Sequence, residues 1–215
     1  MILKWSNIDK MESFHISYLL YSEGKSIEII SKIRNIPHKE VEKHIIEGKI
    51  KYSEFKKNDR LINIISMEKS KRVSYLNNLS EEEIQSLTEE IYKRYIKFKN
   101  PEDRMILIWL IGEIKDEKLV PFLKMELKSK NVNFRRLACS ALGKIGKVEY
   151  KEILEGLFED KNPQVKQYAI KSLRKIGDNN TISLLEHILQ DTREKDYVKR
   201  AAKEVISEIK DTKSS

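Results

Sequence analysis

The C-terminal half of the chain repeats one pattern of apolar residues, and this repetition limits the folds that it can adopt. Isoleucine returns after 31, 31 and 33 residues, at Ile114, Ile145, Ile176 and Ile209. Small or apolar residues precede each isoleucine by seven and by three positions, at Leu107, Ala138, Ala169, Ala202, Ile111, Leu142, Leu173 and Ile206. A period of this length, with two amphipathic helices in each unit, is typical of an α-solenoid, whose repeats bury their apolar faces only by stacking.

Each repeat is predicted to contain two helices. In the first helix, Ala138 and Ala169 are small where two helices must approach closely, and a glycine follows the last buried isoleucine in two repeats. Second helices are expected at residues 120–127, 150–158 and 182–189, where Leu123, Leu154 and Leu185 are equivalent. The last unit, 198–209, lacks a second helix and is expected to cap the stack before a polar tail, 210–215.

Two segments carry a family resemblance. The sequences FRRLACSALGKIG at 134–146 and VKQYAIKSLRKIGD at 165–178 resemble the first helix of HEAT repeats, specifically the bacterial kind similar to phycobilisome lyase repeats. The resemblance covers residues 101–209, about half the chain. It implies an α-solenoid that binds a protein partner, and it extends to the repeats but not to any catalytic motif.

Composition favours an all-α fold. Of the 215 residues 40% are hydrophobic, and seven glycines with four prolines leave little room for β turns or flexible linkers. No apolar run approaches the ~20 residues that span a bilayer, and no signal-peptide core follows Met1. The single cysteine, Cys139, fits a reducing compartment and occupies the repeat position of Ile108 and Ile170. We therefore expect a cytoplasmic protein in which Cys139 is a buried apolar residue.

Residues 12–45 have the spacing of a helix-turn-helix. A supporting helix at 12–23 precedes a short apolar helix, a tight turn at Asn35 and a second helix anchored by Val41 and Ile45. This segment resembles the helix-turn-helix module at the C-termini of some RecQ-type helicases, although Arg34 and Asn35 replace the apolar residue and the glycine that are usual there. The resemblance implies a nucleic-acid role.

Charge places the best candidates for phosphate contacts in this N-terminal module. Residues 1–80 contain 15 basic and 10 acidic side chains, against 27 and 24 in residues 81–215. Because counterion release from phosphates drives nonspecific binding, an excess of cations favours nucleic-acid contact. The predicted nucleic-acid-binding residues are Lys25, His38, Lys39, Lys43, Lys49 and Lys51, with Lys56 and Lys57 on the flank. Glu40, Glu42 and Glu47 interrupt them, so a merely solvated surface is an equal alternative.

A second basic row recurs within the repeats, at Arg104, Arg135, Lys166 and Lys199. In HEAT-type repeats this position commonly pairs with an acidic residue of a neighbouring repeat, and Asp160 and Asp191 are expected to be the partners. The second helices carry Lys124 and Lys128 in repeat one but Glu152, Glu155 and Glu159 in repeat two, which is a poor cradle for phosphate. HEAT-like DNA glycosylases carry aromatics on the concave face, whereas the expected concave positions here show Glu, Ser, Lys and His187 with no tryptophan, and Trp109 lies on a first helix.

One apolar pair breaks the repeat. Met105 and Trp109 lie one helical turn apart, where later repeats carry polar residues. Such a pair left in water would be a contact surface, so both residues are candidate protein contacts. We expect the preceding helix to cover them; Ser80 and Glu83 form a capping box that opens this helix, which continues to Phe98.

These patterns predict an all-α protein: an N-terminal helix-turn-helix module, residues 1–79, followed by a short HEAT-repeat α-solenoid, residues 80–215. The four histidines show no metal-ligand spacing, and no nucleotide-binding loop or catalytic constellation is present. We therefore expect no catalytic residue, metal or cofactor. The first hypothesis for function is a DNA-associated adaptor whose solenoid binds a protein partner; a scaffold without a nucleic-acid role is the second, and a HEAT-like DNA glycosylase the third.

Overall fold

The computed structural model describes residues 5–55 and 59–214, and every regular element in these ranges is a helix. The all-α prediction is therefore confirmed, whereas Lys56 and Lys57 lie outside the described residues. Thirteen α-helices are described: α1 Ser13–Ser22, α2 Ile27–Arg34, α3 His38–Phe55, α4 Arg60–Ser66, α5 Lys69–Asn77, α6 Glu81–Arg94, α7 Pro101–Ile114, α8 Val120–Glu126, α9 Val132–Ile145, α10 Lys151–Glu155, α11 Pro163–Ser172, α12 Asn179–Gln190 and α13 Asp196–Ser214.

The chain forms two compact units, Met1–Leu107 and Ile108–Ser215, which we call the N-terminal unit and the repeat unit. The division falls inside α7, so the first turns of this helix belong to the N-terminal unit. The sequence placed the domain boundary earlier, between residues 79 and 80. The predicted boundary separates segments that are expected to fold independently, and it stays a prediction.

Helices α1, α2 and α3 of the N-terminal unit pack around a small apolar core. Its buried residues are Tyr21, Ile30, Val41 and Ile45, with Leu20, Ile27 and Ile36 packed against them. Ser26 caps the start of α2, and Asn35 ends it in the left-handed conformation, with φ of 51°. The two helices and the tight turn expected around Asn35 are thus present, and their assignment to a helix-turn-helix module stays a prediction.

Arg34, which departs from the apolar residue expected before the turn, has a structural role. Its guanidinium donates hydrogen bonds to the Ser13 carbonyl, at 2.7 Å, and to the Ser13 hydroxyl, at 2.8 Å. Burial lowers the pKa of this guanidinium from its ordinary value. The arginine therefore ties the end of α2 to the start of α1, where an apolar side chain would have no such partners.

Helix α6 follows the sequence prediction closely. Ser80 and Glu83 form the expected capping box, and Leu87, Ile91 and Tyr95 are fully buried along one face. The α-helix ends at Arg94, and a 3₁₀ turn, Tyr95–Lys97, completes the segment expected up to Phe98.

In the repeat unit, first helices pack side by side because glycines face small residues. A Cβ added to Gly112 would lie 2.9 Å from the Cα of Ala141, and one added to Gly143 would lie 2.8 Å from the Cα of Ser172. The two contacts are equivalent, since both partners recur after 31 residues. Ala138 and Ala169 are fully buried, as expected.

The second helices bury the leucines that the repeat made equivalent, Leu123, Leu154 and Leu185, which are fully buried. Two details differ from the sequence prediction. The second helix of repeat two stops at Glu155 and continues as a 3₁₀ turn, Gly156–Glu159. The last helix, α13, extends through the polar tail to Ser214.

A pair of glycine substitutions tests the stacking contact. Gly143→Ala places a Cβ 2.6 Å from the Cβ of Ser172, so we expect unfolding to become easier by about 1 to 3 kcal/mol, even though alanine favours helix. Gly156→Ala is the control, since no atom lies within 4 Å of the added Cβ. Its effect should lie between zero and a gain of about 1 kcal/mol. Denaturant unfolding measures both, and a stabilised Gly143→Ala protein would contradict the assigned packing.

Candidate binding surfaces

Two of the predicted phosphate-binding lysines already have anionic partners. The Lys49 ammonium lies 2.7 Å from a carboxylate oxygen of Asp103, and the two side chains are only 12% and 14% exposed. It also lies 4.8 Å from the centre of the Tyr21 ring. Lys51 is more open, but its ammonium is 3.4 Å from the Glu12 carboxylate. Lys49 is therefore a structural residue of the N-terminal unit rather than an open phosphate contact.

The Lys49–Asp103 pair belongs to a polar junction between α1, α3 and the start of α7. The Tyr21 hydroxyl donates to Asp103 at 2.9 Å, and burial followed by the charges of Asp103 and Glu102 raises the pKa of Tyr21. Asn100 donates to the Tyr21 carbonyl at 2.9 Å and accepts from the Glu102 backbone N–H at 2.8 Å. This junction holds the first turn of α7 against α1 and α3.

The other predicted residues, Lys25, His38, Lys39 and Lys43, are exposed. His38, Lys39 and Lys43 lie together on the first turns of α3, whereas Lys25 precedes α2. The exposed Glu40 and Glu42 lie on the same turns. Their assignment to nucleic acid stays a prediction.

Met105 and Trp109 are both partly buried on α7. The Lys144 ammonium, from α9, lies 5.9 Å from the centre of the Trp109 ring, a cation–π arrangement. The expected cover by the preceding helix stays a prediction, as does a protein contact at this pair.

The basic row within the repeats consists largely of structural side chains. Arg135 donates two hydrogen bonds to Asp160, at 2.7 and 2.9 Å, as the sequence predicted. The expected partner of Lys166 was wrong: its ammonium donates to Glu194 at 2.6 Å, and Asp191 is paired with Arg193 instead. The Arg104 guanidinium stacks on Tyr95 at 5.0 Å. A continuous DNA track along this row is not supported by these pairings.

A groove of about 570 Å³ lies between the second helices of repeats two and three. Four carboxylates and one ammonium line it, together with His187 and apolar side chains. We call it the acidic groove; its lining is Glu155, Gly156, Phe158, Glu159, Lys166, Leu184, His187, Ile188, Asp191 and Glu194. The sequence shows these glutamates but does not predict the groove, because only the packed structure shows that α10 and α12 face each other.

Two polar contacts join the walls of the acidic groove. The Thr181 hydroxyl of α12 donates to Glu155 of α10, and the Lys151 ammonium donates to Asp178 at 2.5 Å. Asp178 also caps α12 by accepting from the Thr181 backbone N–H at 3.0 Å. The hydrogen bond from Lys151 and the one from the Thr181 backbone lower the pKa of Asp178 to about 2.

A second surface has the opposite charge. On the outer side of α9 and α11, a shallow groove of about 340 Å³ is lined by Lys144, Lys171, Arg174 and Lys175, with Ser140, Gly143, Tyr168 and Ser172 between them. We call it the basic groove. The sequence signal for it was available, since neither α9 nor α11 contains an aspartate or glutamate.

Comparison with known families agrees with this architecture. A family model for HEAT repeats matches residues 88–161 and 126–207 of the chain, which together exceed half of its length. The protein belongs to the HEAT-repeat family. HEAT repeats generally mediate protein–protein interactions. No curated protein matches the chain.

The surroundings of Cys139 disfavour a nucleophilic role for its thiol. Cys139 is fully buried, and burial followed by the charge of Asp160 raises its thiol pKa to about 12, so the nucleophilic thiolate is suppressed. In residues 5–55 and 59–214, no three histidine, cysteine or acidic side chains gather as metal ligands. No described helix is long and apolar enough to cross a bilayer.

The walls of the acidic groove predict an acid-dependent contribution to stability. Asp178 has a pKa of about 2 in the folded protein and an ordinary value of 3.8, so its charge stabilises the fold above about pH 4. This contribution should disappear as the pH falls from about 4 to 2. Asp178→Asn keeps a capping oxygen but removes the charge. Urea unfolding should show a destabilised variant near neutral pH and a shrinking difference below about pH 4; a constant difference would contradict the charge-based contact.

Lys49 and Lys43 form a matched pair on α3. Lys49→Met leaves Asp103 without its cation in a largely buried site, at a cost of roughly 3 kcal/mol in unfolding free energy. Lys43→Met changes an exposed side chain and should stay within about 0.5 kcal/mol of the wild type. Chemical denaturation compares them. If both variants unfold as the wild type does, Lys49 is not held by Asp103 in solution.

Proposed function

We propose that the protein is a noncatalytic adaptor whose HEAT repeats bind a basic, partly apolar segment of a protein partner in the acidic groove. The observation that carries the proposal is the lining of that groove: four carboxylates and one ammonium surround apolar side chains. We place the protein in the cytoplasm, in keeping with its single buried cysteine.

The charge of the acidic groove determines the charge of the segment that it can bind. Glu194 is neutralised by Lys166, and Asp191 pairs with Arg193, but Glu159 is exposed at the rim of the groove. The exposed Glu152 and Glu186 lie on the two helices that form the walls. Lysine or arginine side chains entering between these helices would meet opposite charge, which raises association rates and disfavours acidic competitors.

Apolar contacts supply the rest of the binding energy. Leu184 and Ile188 lie one turn apart on α12, are partly exposed and face the groove, while Phe158 is buried beneath it. An apolar centre with a charged rim is the usual arrangement of a protein interface. A segment in which cations alternate with apolar residues therefore fits this surface better than an acidic or a wholly polar one.

DNA association through the helix-turn-helix is the second hypothesis, and it rests on the exposed His38, Lys39 and Lys43 at the start of α3. The structure leaves this hypothesis with fewer candidate contacts than the sequence suggested, because Lys49 forms an ion pair with Asp103. This hypothesis also draws on the resemblance of residues 12–45 to the RecQ-type module. The resemblance of the repeats to phycobilisome lyase repeats likewise stays a proposal. A glycosylase, the third hypothesis, would need a basic groove on the second helices, where carboxylates lie instead.

Peptide selection tests the adaptor proposal. A display library of random linear peptides, panned on the wild-type protein, should yield sequences rich in lysine or arginine and in aliphatic or aromatic residues. Glu159→Lys should lower the affinity for the selected peptides about tenfold, equivalent to about 1.4 kcal/mol of binding free energy. This loss of affinity should shrink at high salt. Ile188→Ser should weaken them at every salt concentration. Isothermal titration calorimetry measures each affinity.

Glu204→Lys provides the matched control, because Glu204 is exposed on α13, outside the lining of the groove. It makes the same change in net charge and should bind as the wild type does. Equal weakening by Glu159→Lys and Glu204→Lys would show only a nonspecific charge effect. Selection of acidic peptides, or of none, would reject the acidic groove as the partner site.

A further inference from the structure

The two faces of repeats two and three carry opposite charges. The first helices α9 and α11 contain lysine and arginine but no acidic residue, whereas α10 and the 3₁₀ turn after it carry Glu152, Glu155 and Glu159. The arrangement recurs with the repeat, since Lys144 and Lys175 are equivalent positions 31 residues apart. The cations therefore gather on one side of the stack.

The shape of the basic groove follows from the packing of these helices. Gly143 has no side chain, and α11 approaches so closely that Ser172 forms the floor beside it. The Ser172 hydroxyl is turned inward, where its oxygen lies 2.8 Å from the Cys139 carbonyl oxygen and 2.7 Å from that of Tyr168, and its one proton is shared between these two acceptors. The result is a shallow channel with a small floor and long cationic side chains along its rims.

Some of the rim cations retain capacity for a ligand. Lys144 is paired with Glu113, and Arg174 lies 3.4 Å from Glu208 in a half-exposed pair. Lys171 and Lys175 are exposed and have no acidic partner within the part of the chain that the structure describes. The groove therefore has a surplus of positive charge that its own surroundings do not neutralise.

Aromatic rings border the same surface. Tyr168 lines the groove, with the Arg136 guanidinium 5.1 Å from its ring centre, and Trp109 lies under the Lys144 ammonium. Both rings are partly exposed. Cations that follow a channel, with rings on which planar groups can stack, form the general pattern of a surface for single-stranded nucleic acid.

We propose that the outer face of α7, α9 and α11, centred on the basic groove, binds single-stranded nucleic acid. Lys171 and Lys175 contact backbone phosphates, and bases stack on Tyr168 and Trp109. This site is separate from the acidic groove and from the helix-turn-helix, so it adds a second ligand to the proposed adaptor.

The extent of the surface favours a polymer over a single phosphate group. Packed helices lie about 8 to 10 Å apart, so three adjacent first helices span roughly 20 Å. A phosphorylated peptide would place one dianion on this surface and would make no use of the Tyr168 and Trp109 rings, on which bases can stack. A membrane surface would need exposed apolar side chains to insert, and the lining of the groove offers none beyond the Tyr168 ring.

Fluorescence anisotropy with a labelled oligothymidylate measures binding by the full chain over a salt titration. The double variant Lys171→Glu with Lys175→Glu should bind at least tenfold more weakly at low salt. The slope of log affinity against log salt should fall by about 1.4, because each single-strand phosphate contact contributes about 0.7. Lys171→Arg with Lys175→Arg should restore binding. Tyr168→Leu should weaken it roughly tenfold without changing the slope.

The matched control is Lys93→Glu with Lys97→Glu, which makes the same charge change at two exposed lysines four residues apart, on α6 and the 3₁₀ turn that follows it. It should bind the oligonucleotide as the wild type does, and thermal melts should show all variants folded. The proposal is overturned if the wild type does not bind at low salt, or if the control variant loses as much affinity as the variant with Lys171→Glu and Lys175→Glu. It is also overturned if duplex DNA or anionic phosphatidylserine vesicles bind as tightly with no effect of Tyr168→Leu. The acidic-groove proposal survives each of these outcomes.

Discussion

The close approach of successive first helices is the contact on which the repeat unit depends. Gly112 faces Ala141 and Gly143 faces Ser172, at distances that exclude any further side-chain atom. Dispersion and apolar burial act only over such short separations, so each glycine brings a whole row of buried leucines and isoleucines into contact. The same two residues, Gly143 and Ser172, line the basic groove. Stability and the shape of one binding surface thus have a common origin.

Ion pairing then determines which charges remain available on each side. Arg135 and Lys166 turn towards Asp160 and Glu194 and are neutralised there, so the row that resembled a DNA track is occupied by internal pairs. The cations left over lie on the outer side of α9 and α11, and the carboxylates left over lie along α10 and α12. Two ligands of opposite charge can therefore occupy one short stack without competing for the same side chains.

Sequence reasoning succeeded where the determining interactions are local or periodic. The period of 31 residues located the HEAT repeats, and the capping box at Ser80 and the turn at Asn35 were read from adjacent residues. It failed where a partner is distant or ambiguous. Lys49 pairs with Asp103, 54 residues away. Lys166 pairs with Glu194 and not with Asp191, although Asp191 follows Lys166 at the same spacing at which Asp160 follows Arg135. The grooves were missed for a similar reason: a concavity depends on which faces of two helices meet, and composition does not encode that.

The rate at which the buried cysteine is labelled can report the motions of the repeats. Cys139 is fully buried on α9, and its carbonyl accepts a hydrogen bond from the Ser172 hydroxyl of α11. Burial also raises the pKa of its thiol, which keeps the thiol protonated. An alkylating reagent can reach this sulfur only when the two helices separate. Because the chain has no second cysteine, the labelling rate would report the opening of one known junction. The residue is thus a natural probe of how often neighbouring repeats part.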